Sequence, residues 1–134
     1  TNNVINIVFR NGVIRGAIGG HPDTAESASL AVIVAPLVRG RIPTVVEHVG
    51  TVVTPGSVID VLVTDRGIAV NPNRPDLKEK LEKFGLHVFD IHALQKKAEE
   101  LVGVPEPIRY KDRIVGVAMY RDNTVIDVIR QIDE

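Results

Sequence analysis

The sequence predicts an α/β domain, because segments typical of buried strands alternate along the chain with segments typical of helices. The runs LAVIVAP at residues 30–36 and VIDVLVTD at residues 58–65 have the continuous apolar character expected of strands buried on both faces. Helical patterns follow at residues 76–84 and 91–102. Since 134 residues are enough for one domain with a real core, we expect a mostly parallel sheet with flanking helices.

Both helical patterns carry boundary signals. The first places Leu77, Leu81 and Phe84 on one face and ends before Gly85, a residue typical of helix C-termini. The second begins after Asp90, a favourable N-cap residue, and repeats apolar side chains at helical spacing. We interpret both helices as packing elements without chemistry of their own.

A β-hairpin is expected near each end of the chain. Residues 4–15 alternate apolar and polar side chains around Asn11-Gly12, a pair that tolerates the positive φ values of a type I′ turn. Residues 113–132 predict a second hairpin, which turns at Asp122-Asn123.

Two shorter predictions concern the segments between these elements. HPDTAESAS at residues 21–29 predicts a short helix with Pro22 and Asp23 in its first turn. IPTVVEHVGTVVTPG at residues 42–56 predicts two short strands, divided near Gly50 and stopped by a Pro-Gly pair.

The composition argues against several function classes. The net charge is -1 and aromatic residues make up 4% of the chain, so no nucleic-acid partner is expected. The apolar run at residues 30–38 is too short to span a bilayer, so no membrane partner is expected either. The chain has no cysteine, which excludes disulfides and thiolate metal sites and is compatible with a cytoplasmic location. No metal is expected, because metal-ligand spacing is missing among the histidines, which are His21, His48, His87 and His92.

The glycine-rich segment at residues 16–24 is the first candidate site. Glycines let backbone N–H groups approach a ligand closely, and the N-terminus of the following helix favours negative charge. The segment also precedes an apolar strand, a place where open α/β sheets often build sites. Recognition of an anion or acyl group is one interpretation, and a turn that only connects a hairpin to a helix is the other.

Two further stretches carry polar groups directly after apolar strands. Arg39 and Arg41 flank Gly40, and guanidinium groups are suited to bind phosphate or carboxylate with paired hydrogen bonds. A solvated loop is the alternative interpretation. The tetrapeptide Thr-Asp-Arg-Gly at residues 64–67 ends the second apolar strand with polar groups that could face a cleft. No Ser/His/Asp order or carboxylate pair has persuasive spacing, so these patterns identify no catalytic residue.

Several long motifs resemble the citrate lyase alpha subunit family. They are GVIRGAIGGHPDTA, VAPLVRGRIPTVVEHVGTVVTPG, IDVLVTDRGIAVNPNRPDL and YRDNTVIDVIRQI, in this order over almost the whole chain. That family is the citrate CoA-transferase, also described as the citrate–acyl-carrier-protein transferase. The shorter pattern G-G-x-x-D followed by V-T-x-x-G-x-A resembles other CoA-transferases more distantly.

The resemblance implies a CoA-transferase-like fold of the α/β class. Residues 1–134 would form a single domain, most of the second CoA-transferase domain of a longer alpha subunit. The implied reaction exchanges acetyl for citrate on the thioester of a CoA-type carrier, which is the first half-reaction of citrate lyase. The carrier, the phosphoribosyl dephospho-CoA arm of an acyl carrier protein or free CoA, would be a substrate, and no tightly bound cofactor is expected. The implied partners are the beta and gamma (acyl carrier) subunits of an oligomeric complex.

The resemblance also implies roles for particular residues. Backbone N–H groups of Gly19 and Gly20 would hold a carbonyl oxygen or carboxylate at the thioester end of a cleft. Arg39 and Arg41 would neutralise citrate or the phosphates of the pantetheine arm. The residues expected to bind substrate or CoA are Gly19, Gly20, His21, Asp23, Thr24, Arg39, Arg41, Thr64, Asp65, Arg66 and Gly67.

No nucleophile follows from the resemblance. CoA-transferases of the acetate type use a glutamate that becomes a thioester, and no matching glutamate motif is present here. Citrate-type enzymes are understood to transfer within a ternary complex, so the catalytic residues stay unassigned.

A second function class remains open, a non-catalytic module of the same fold that binds carrier or lyase partner subunits. The chain begins at Thr1, only a few residues before an apolar, β-prone stretch, and we expect it to be a piece of a longer subunit. A natural start near Thr1 would favour the stand-alone module.

Overall fold

The computed structural model describes residues 19–133. The hairpin predicted at residues 4–15 and the glycine at position 16 lie outside the described residues. None of the helices in the described part of the chain is long and apolar enough to cross a membrane. In chain order the helices and strands are α1 (His21–Ser27), β1 (Val32–Val34), β2 (Val38–Arg39), β3 (Ile42–Pro43), β4 (Val61–Thr64), β5 (Gly67–Val70), α2 (Pro75–Lys83), β6 (Val88–Phe89), α3 (Ile91–Val102), β7 (Tyr110–Met119) and β8 (Val125–Ile132).

These elements belong to two compact units. The α/β unit consists of Ser29–Glu47 and Ile59–Pro105 and contains β1 to β6, α2 and α3. The hairpin unit contains α1, β7 and β8, and its described residues are 19–28, 48–58 and 106–133. The assignment of residues 1–134 to one domain of a longer subunit stays a prediction.

The α/β unit contains a four-stranded sheet in the order β1-β4-β5-β6. β1 runs parallel to β4, with Val32 opposite Val61, and β5 runs parallel to β6, with Ile68 opposite Val88. β4 and β5 are antiparallel. The predicted α/β class is therefore confirmed, with a sheet that contains parallel strand pairs, whereas the more specific CoA-transferase-like fold stays a prediction.

Strand β1 is less buried than its apolar sequence predicts. Val32 and Val34 are 46% and 77% exposed, and Ile33 between them is half-buried. Because β1 lies at the edge of the sheet and pairs with β4 alone among the described strands, the prediction of a strand buried on both faces was wrong here. A continuous apolar run does not by itself distinguish a central strand from an edge strand.

The core of the α/β unit lies where α3 packs against the sheet and the segment before β2. Full burial of a leucine side chain such as Leu94, which is 0% exposed, contributes about 2 kcal/mol to stability. The buried residues of this core are Leu37, Ala69, Leu94 and Ala98.

Both predicted helices of the α/β unit are confirmed. α3 begins after Asp90, whose Oδ1 accepts a 2.8 Å hydrogen bond from the His92 N–H, and Gly103 ends it with a φ of 80°. α2 is shifted by one residue relative to its predicted bounds. The placement of Phe84 on its packing face was wrong, because the helix ends at Lys83 and the Phe84 side chain is 77% exposed.

A short hairpin formed by β2 and β3 was not predicted. Arg39 pairs with Ile42, so Gly40 and Arg41 form the loop. Gly40 has a φ of 62°, and a glycine at the first of two loop residues is the signal of a type II′ turn. Arg39 and Arg41 therefore lie on one tight hairpin and not on an irregular loop.

The hairpin unit is built on the antiparallel pair β7–β8, which confirms the predicted C-terminal hairpin. Asn123 has a φ of 67°, and its N–H donates a 2.9 Å hydrogen bond to the Tyr120 carbonyl, so the chain turns at the predicted position. Helix α1 also forms where it was predicted, with Pro22 buried in its first turn.

The strand predicted after Gly50 does not form. Val53 and Thr54 are both buried although they are adjacent, which is not the alternation of a half-buried strand. The Val52 N–H donates to the Asp127 carboxylate at 2.7 Å. The predicted strand was wrong, and at Val52 the backbone donor binds a side-chain carboxylate and not a neighbouring strand.

Candidate functional site

The predicted site residues fall on both units. Residues 19–24 belong to the hairpin unit, where they form the end of a loop and the first turn of α1. Arg39 and Arg41 lie on the β2–β3 hairpin of the α/β unit, and residues 64–67 form the turn between β4 and β5. Each unit therefore carries its own candidate group.

Of the two glycines in the described part of the loop before α1, only Gly19 has a backbone geometry that requires glycine. Gly19 has a φ of 60°, in the left-handed region that strains other residues, whereas Gly20 has an ordinary φ of -89°. The Thr24 N–H and hydroxyl both donate to the Gly20 carbonyl oxygen, at 2.9 and 2.6 Å. His21 and Asp23 are exposed, as are both glycines. Solvent therefore reaches this predicted group, as a binding loop requires.

Two residues in the turn between β7 and β8, Tyr120 and Arg121, contact α1, although their sequence pattern indicated no role for them. Tyr120 Oη donates a 2.7 Å hydrogen bond to Glu26 Oε2, and Arg121 Nη1 donates a 3.0 Å hydrogen bond to Ser27 Oγ. Arg121 Nε also lies 3.7 Å from Asp23 Oδ1. Each hydrogen-bonded pair is 94 residues apart in the chain, which is why local patterns did not reveal it.

A pocket of about 340 Å³ opens beside these contacts and is lined by Glu26, Tyr120, Arg121 and Asp122. Burial, together with the bond to Glu26, raises the pKa of Tyr120 to about 12, so its phenol stays a hydrogen-bond donor at neutral pH. Hydrogen bonds from Thr124 lower the pKa of Asp122, which keeps its carboxylate ionised. The pocket therefore presents one donor phenol, one guanidinium and two carboxylate side chains.

The β4–β5 turn is held by the hydroxyl of Thr64. This hydroxyl donates a 2.8 Å hydrogen bond to the Gly67 carbonyl and accepts one of 3.1 Å from the Arg66 N–H. Thr64 pairs with Gly67 across the two strands, so Asp65 and Arg66 alone form the loop. A Cβ atom at Gly67 would lie 2.5 Å from Phe89 Cδ2, so the turn packs directly on that aromatic ring.

The Asp65 carboxylate ties this turn to the segment that precedes β2. Its Oδ1 accepts a 2.8 Å hydrogen bond from the Leu37 N–H, and its Oδ2 accepts one of 3.1 Å from Arg66 Nε. These interactions, the bond from Leu37 first, lower the pKa of Asp65. Both oxygens accept hydrogen bonds, and the carboxyl group is ionised near neutral pH. The carboxylate is therefore better suited to hold the turn than to transfer a proton.

Lys97 of α3 supports the same turn, although no sequence pattern indicated this role. Its Nζ donates a 3.3 Å hydrogen bond to the Arg66 carbonyl oxygen and lies 5.2 Å from the centroid of the Phe89 ring. A lysine on an amphipathic helix is ordinary in sequence, so only its three-dimensional neighbours reveal the contact.

The α/β unit exposes several guanidinium groups on neighbouring segments. Arg39 and Arg41 make no ion pair within residues 19–133. Arg66 is exposed, and its side chain bonds to Asp65 through Nε. The hydrogen bond between Leu37 and Asp65 joins the β4–β5 turn to the start of the arginine hairpin. Guanidinium groups form paired hydrogen bonds with carboxylates and phosphates, and those of Arg39 and Arg41 have no carboxylate partner within residues 19–133.

Fold and candidate residues together define an α/β protein with exposed arginines on its α/β unit. The family model described as citrate lyase, alpha subunit (CitF), matches residues 1–132. The chain therefore belongs to the citrate lyase alpha subunit family, as its motifs indicated.

Individual relatives show the same relationship. The citrate lyase alpha chain of Escherichia coli (strain K12) is 54% identical over 132 residues, which are 98% of this chain and 26% of that protein. The citrate lyase alpha chain of Klebsiella pneumoniae is 61% identical over 122 residues, which are 91% of this chain and 24% of that protein.

A solved structure is also similar, the citrate lyase alpha subunit from Streptococcus mutans in complex with citrate. It matches with a TM-score of 0.93 and 50% sequence identity, over 99% of this chain and 26% of that one. The chain thus spans about a quarter of the length of the relatives that it matches.

Proposed function

We propose that the chain is part of a citrate CoA-transferase with a CoA-transferase-like fold, and that it corresponds to most of the second domain of an alpha subunit. In the proposed reaction, the thioester of a CoA-type carrier exchanges its acetyl group for citrate. Acetate leaves and a citryl thioester forms, which is the first half-reaction of citrate lyase. The carrier is the phosphoribosyl dephospho-CoA arm of an acyl carrier protein, or CoA itself.

One observation carries the proposal, the similarity to an alpha subunit that holds citrate. That protein matches 99% of this chain at 50% identity and with a TM-score of 0.93. The chain also belongs to the citrate lyase alpha subunit family over residues 1–132. Citrate is an anion with several carboxylates, and the α/β unit presents the cations that such a ligand needs.

In the α/β unit, we assign anion binding to the guanidinium groups of Arg39, Arg41 and Arg66. They would bind citrate carboxylates or phosphates of the carrier arm through charge-assisted hydrogen bonds. Thr64, Asp65 and Gly67 hold the turn that carries Arg66, so their contribution to binding is to fix this turn.

In the hairpin unit, we assign the loop before α1 to the acyl group. Attack on a thioester carbonyl places negative charge on its oxygen, and backbone N–H groups stabilise such an oxyanion strongly when they are held in place. Gly19 and Gly20 are both exposed, so their backbone N–H groups would be accessible to such an oxygen. His21, Asp23 and Thr24 lie in the adjoining helical turn and would contact the rest of the acyl group or the carrier arm.

The proposed partners are the beta and gamma subunits of citrate lyase, with the gamma subunit as acyl carrier. The beta subunit would then cleave the citryl thioester to acetyl thioester and oxaloacetate. We place this complex in the cytoplasm, with which the absence of cysteine from the chain is compatible.

The test is a transfer assay on a full-length alpha chain that carries these residues. Acetyl-CoA and citrate are supplied, and citryl-CoA and acetate are measured. Arg39→Ala and Arg41→Ala should each raise the Michaelis constant for citrate or for the CoA donor about ten- to a hundredfold, equivalent to about 1.5–3 kcal/mol. Arg113→Ala is the matched control, because Arg113 is an exposed arginine of β7 outside the proposed site.

Three outcomes of this assay would count against the proposal. No transfer despite citrate binding would favour the non-catalytic module. Unchanged Michaelis constants in both arginine variants would make these arginines ordinary surface charges. An equal rise of the Michaelis constant in Arg113→Ala would indicate a general effect of charge.

A further inference from the structure

Helix α1 is too short to be stable by itself. It spans His21–Ser27, seven residues, and its N-cap residue Gly20 has no side chain that could cap the helix. Isolated helices of fewer than about 12 residues are marginal in water, because the first turn is costly to nucleate. The conformation of α1, and of the glycine loop that leads into it, therefore depends on contacts with other parts of the hairpin unit.

The turn between β7 and β8 provides such contacts along the length of α1. Arg121 reaches Asp23 in the first turn of the helix and Ser27 in its last turn. Tyr120 donates to Glu26 with a short bond of 2.7 Å. Two consecutive residues of one turn thus contact three positions on one short helix.

The turn itself is a rigid support for these two side chains. The Tyr120 N–H donates to the Thr124 carbonyl at 2.8 Å, which closes the end of the hairpin. Asp122 Oδ1 accepts from both the N–H and the hydroxyl of Thr124, at 3.0 and 2.6 Å. Ala118, two residues before Tyr120, is buried near the end of β7.

We propose that Tyr120 and Arg121 are positioning residues that hold α1, and through it the Gly19–Gly20 loop, in the conformation that receives the acyl group. The inference rests on the proposed function in one respect, namely that this loop contacts substrate. Tyr120 and Arg121 themselves touch α1 and not the reacting atoms. Their effect on the reaction is transmitted through the orientation of the first helical turn.

Because these contacts are exposed, we expect them to affect the position of α1 more than the stability of the hairpin unit. The side chains of Arg121 and Asp23 are 43% and 61% exposed, and an ion pair this accessible contributes little to stability. The pocket beside them also gives water access to Tyr120 and Arg121. Loss of the contacts should therefore loosen α1 without unfolding the unit.

The test compares Tyr120→Phe with Tyr110→Phe in a full-length alpha chain that carries these residues. The chain has two tyrosines, and both changes remove one hydroxyl while keeping the ring. Tyr120→Phe should speed hydrogen exchange in residues 19–27 about fivefold and lower kcat for acetyl-to-citrate transfer about fivefold, with KM within about twofold. Tyr110→Phe should change none of these quantities.

Two further comparisons identify the contacts responsible. Glu26→Met, combined with Tyr120→Phe, should lower kcat no more than either change alone, since both remove the same hydrogen bond. Arg121→Met should also lower kcat, and Arg121→Lys should restore part of it, because an ammonium can still reach Ser27 or Asp23. A change that merely destabilised the protein would not show this rescue at an unchanged melting temperature.

Several results would overturn the proposal. Unchanged hydrogen exchange in Tyr120→Phe would mean that α1 is held by other contacts. Faster exchange with unchanged kcat would mean that the position of α1 does not govern the reaction. Gly20→Ala then identifies which idea failed: if it lowers kcat while Tyr120→Phe does not, only the positioning role is wrong. If Gly20→Ala also leaves kcat unchanged, the assignment of the loop to the substrate is wrong as well.

Discussion

The Nζ atom of Lys97 donates a 3.3 Å hydrogen bond to the carbonyl oxygen of Arg66. The two residues are 31 positions apart, one on α3 and the other in the β4–β5 turn. The same ammonium group lies 5.2 Å from the centroid of the Phe89 ring, on which the turn packs. A single helix residue thus stabilises the loop that presents one of the proposed anion-binding arginines.

Lys97→Met should loosen this turn. The loss of the cation–π contact and of the hydrogen bond should cost about 0.5–1 kcal/mol of local stability. Hydrogen exchange of a peptide covering residues 64–67 measures the local stability of this turn, and the exchange should become faster in the variant. Lys97→Arg should retain protection, because a guanidinium can also stack on Phe89 and donate to the carbonyl. Lys96→Met, one position away on the exposed side of α3, is the control, and an equal effect there would contradict the prediction.

Gly67→Ala should destabilise the α/β unit through a steric clash. The added Cβ would lie 2.5 Å from Phe89 Cδ2 and 3.0 Å from Leu94 Cδ2, closer than atoms pack. Overpacking of this kind costs about 1–3 kcal/mol, so the melting temperature of a full-length alpha chain should fall. The cost should be smaller in a Phe89→Ala background, where the ring is absent. Equal costs in both backgrounds would show that the ring does not limit the space at this position.

The elements that were predicted well have local sequence signals. Asp90 before α3 and Gly103 after it define the helix by capping chemistry alone, and the structure has the same bounds. The β2–β3 hairpin was missed because its strands contain only two residues each, too few for a periodic pattern. The glycine at its loop was the one available signal.

Only those parts of the candidate site that lie in recognisable sequence motifs could be predicted. The sequence patterns indicated the glycine loop, the two arginines and the Thr-Asp-Arg-Gly turn as candidates, and the resemblance supplied their roles. It did not supply Lys97 or Tyr120, because each acts on a partner far away in sequence, 31 and 94 positions respectively. Side chains that hold a loop in place become visible only when the fold brings them to it.

Acid should weaken the α/β unit partly through Asp65. The folded-state pKa of Asp65 is lowered below its ordinary value of 3.8, with the hydrogen bond from Leu37 as the main cause. A lowered pKa means that this contribution to stability is present above the unfolded-state pKa and is lost as the pH falls towards the folded-state pKa.

Urea unfolding measured between about pH 5 and pH 3 checks this expectation. The wild-type chain should lose stability more steeply over this range than Asp65→Asn, whose amide oxygen still accepts from Leu37 but does not titrate. Asp112→Asn is the control, since the Asp112 side chain forms no hydrogen bond in the described part of the chain. Parallel curves for wild type and Asp65→Asn would contradict the prediction.

Gly20→Ala distinguishes a substrate-binding loop from a connecting turn. Gly20 has a φ of -89°, which alanine adopts, and an added Cβ would meet only Thr24 Oγ1, at an ordinary distance of 3.7 Å. Alanine therefore fits here without strain or clash, and two physical reasons for glycine remain, its role as N-cap of α1 and the close approach of a ligand. The melting temperature of a full-length alpha chain should stay close to wild type. The rate of acetyl-to-citrate transfer should fall at least about tenfold, or about 1.4 kcal/mol of barrier.

Gly19→Ala is the companion variant: the φ of 60° at Gly19 strains an alanine by about 1–2 kcal/mol, so its melting temperature should fall. A Gly20→Ala protein that is less stable but transfers at the full rate would mean that the loop only connects the chain to α1.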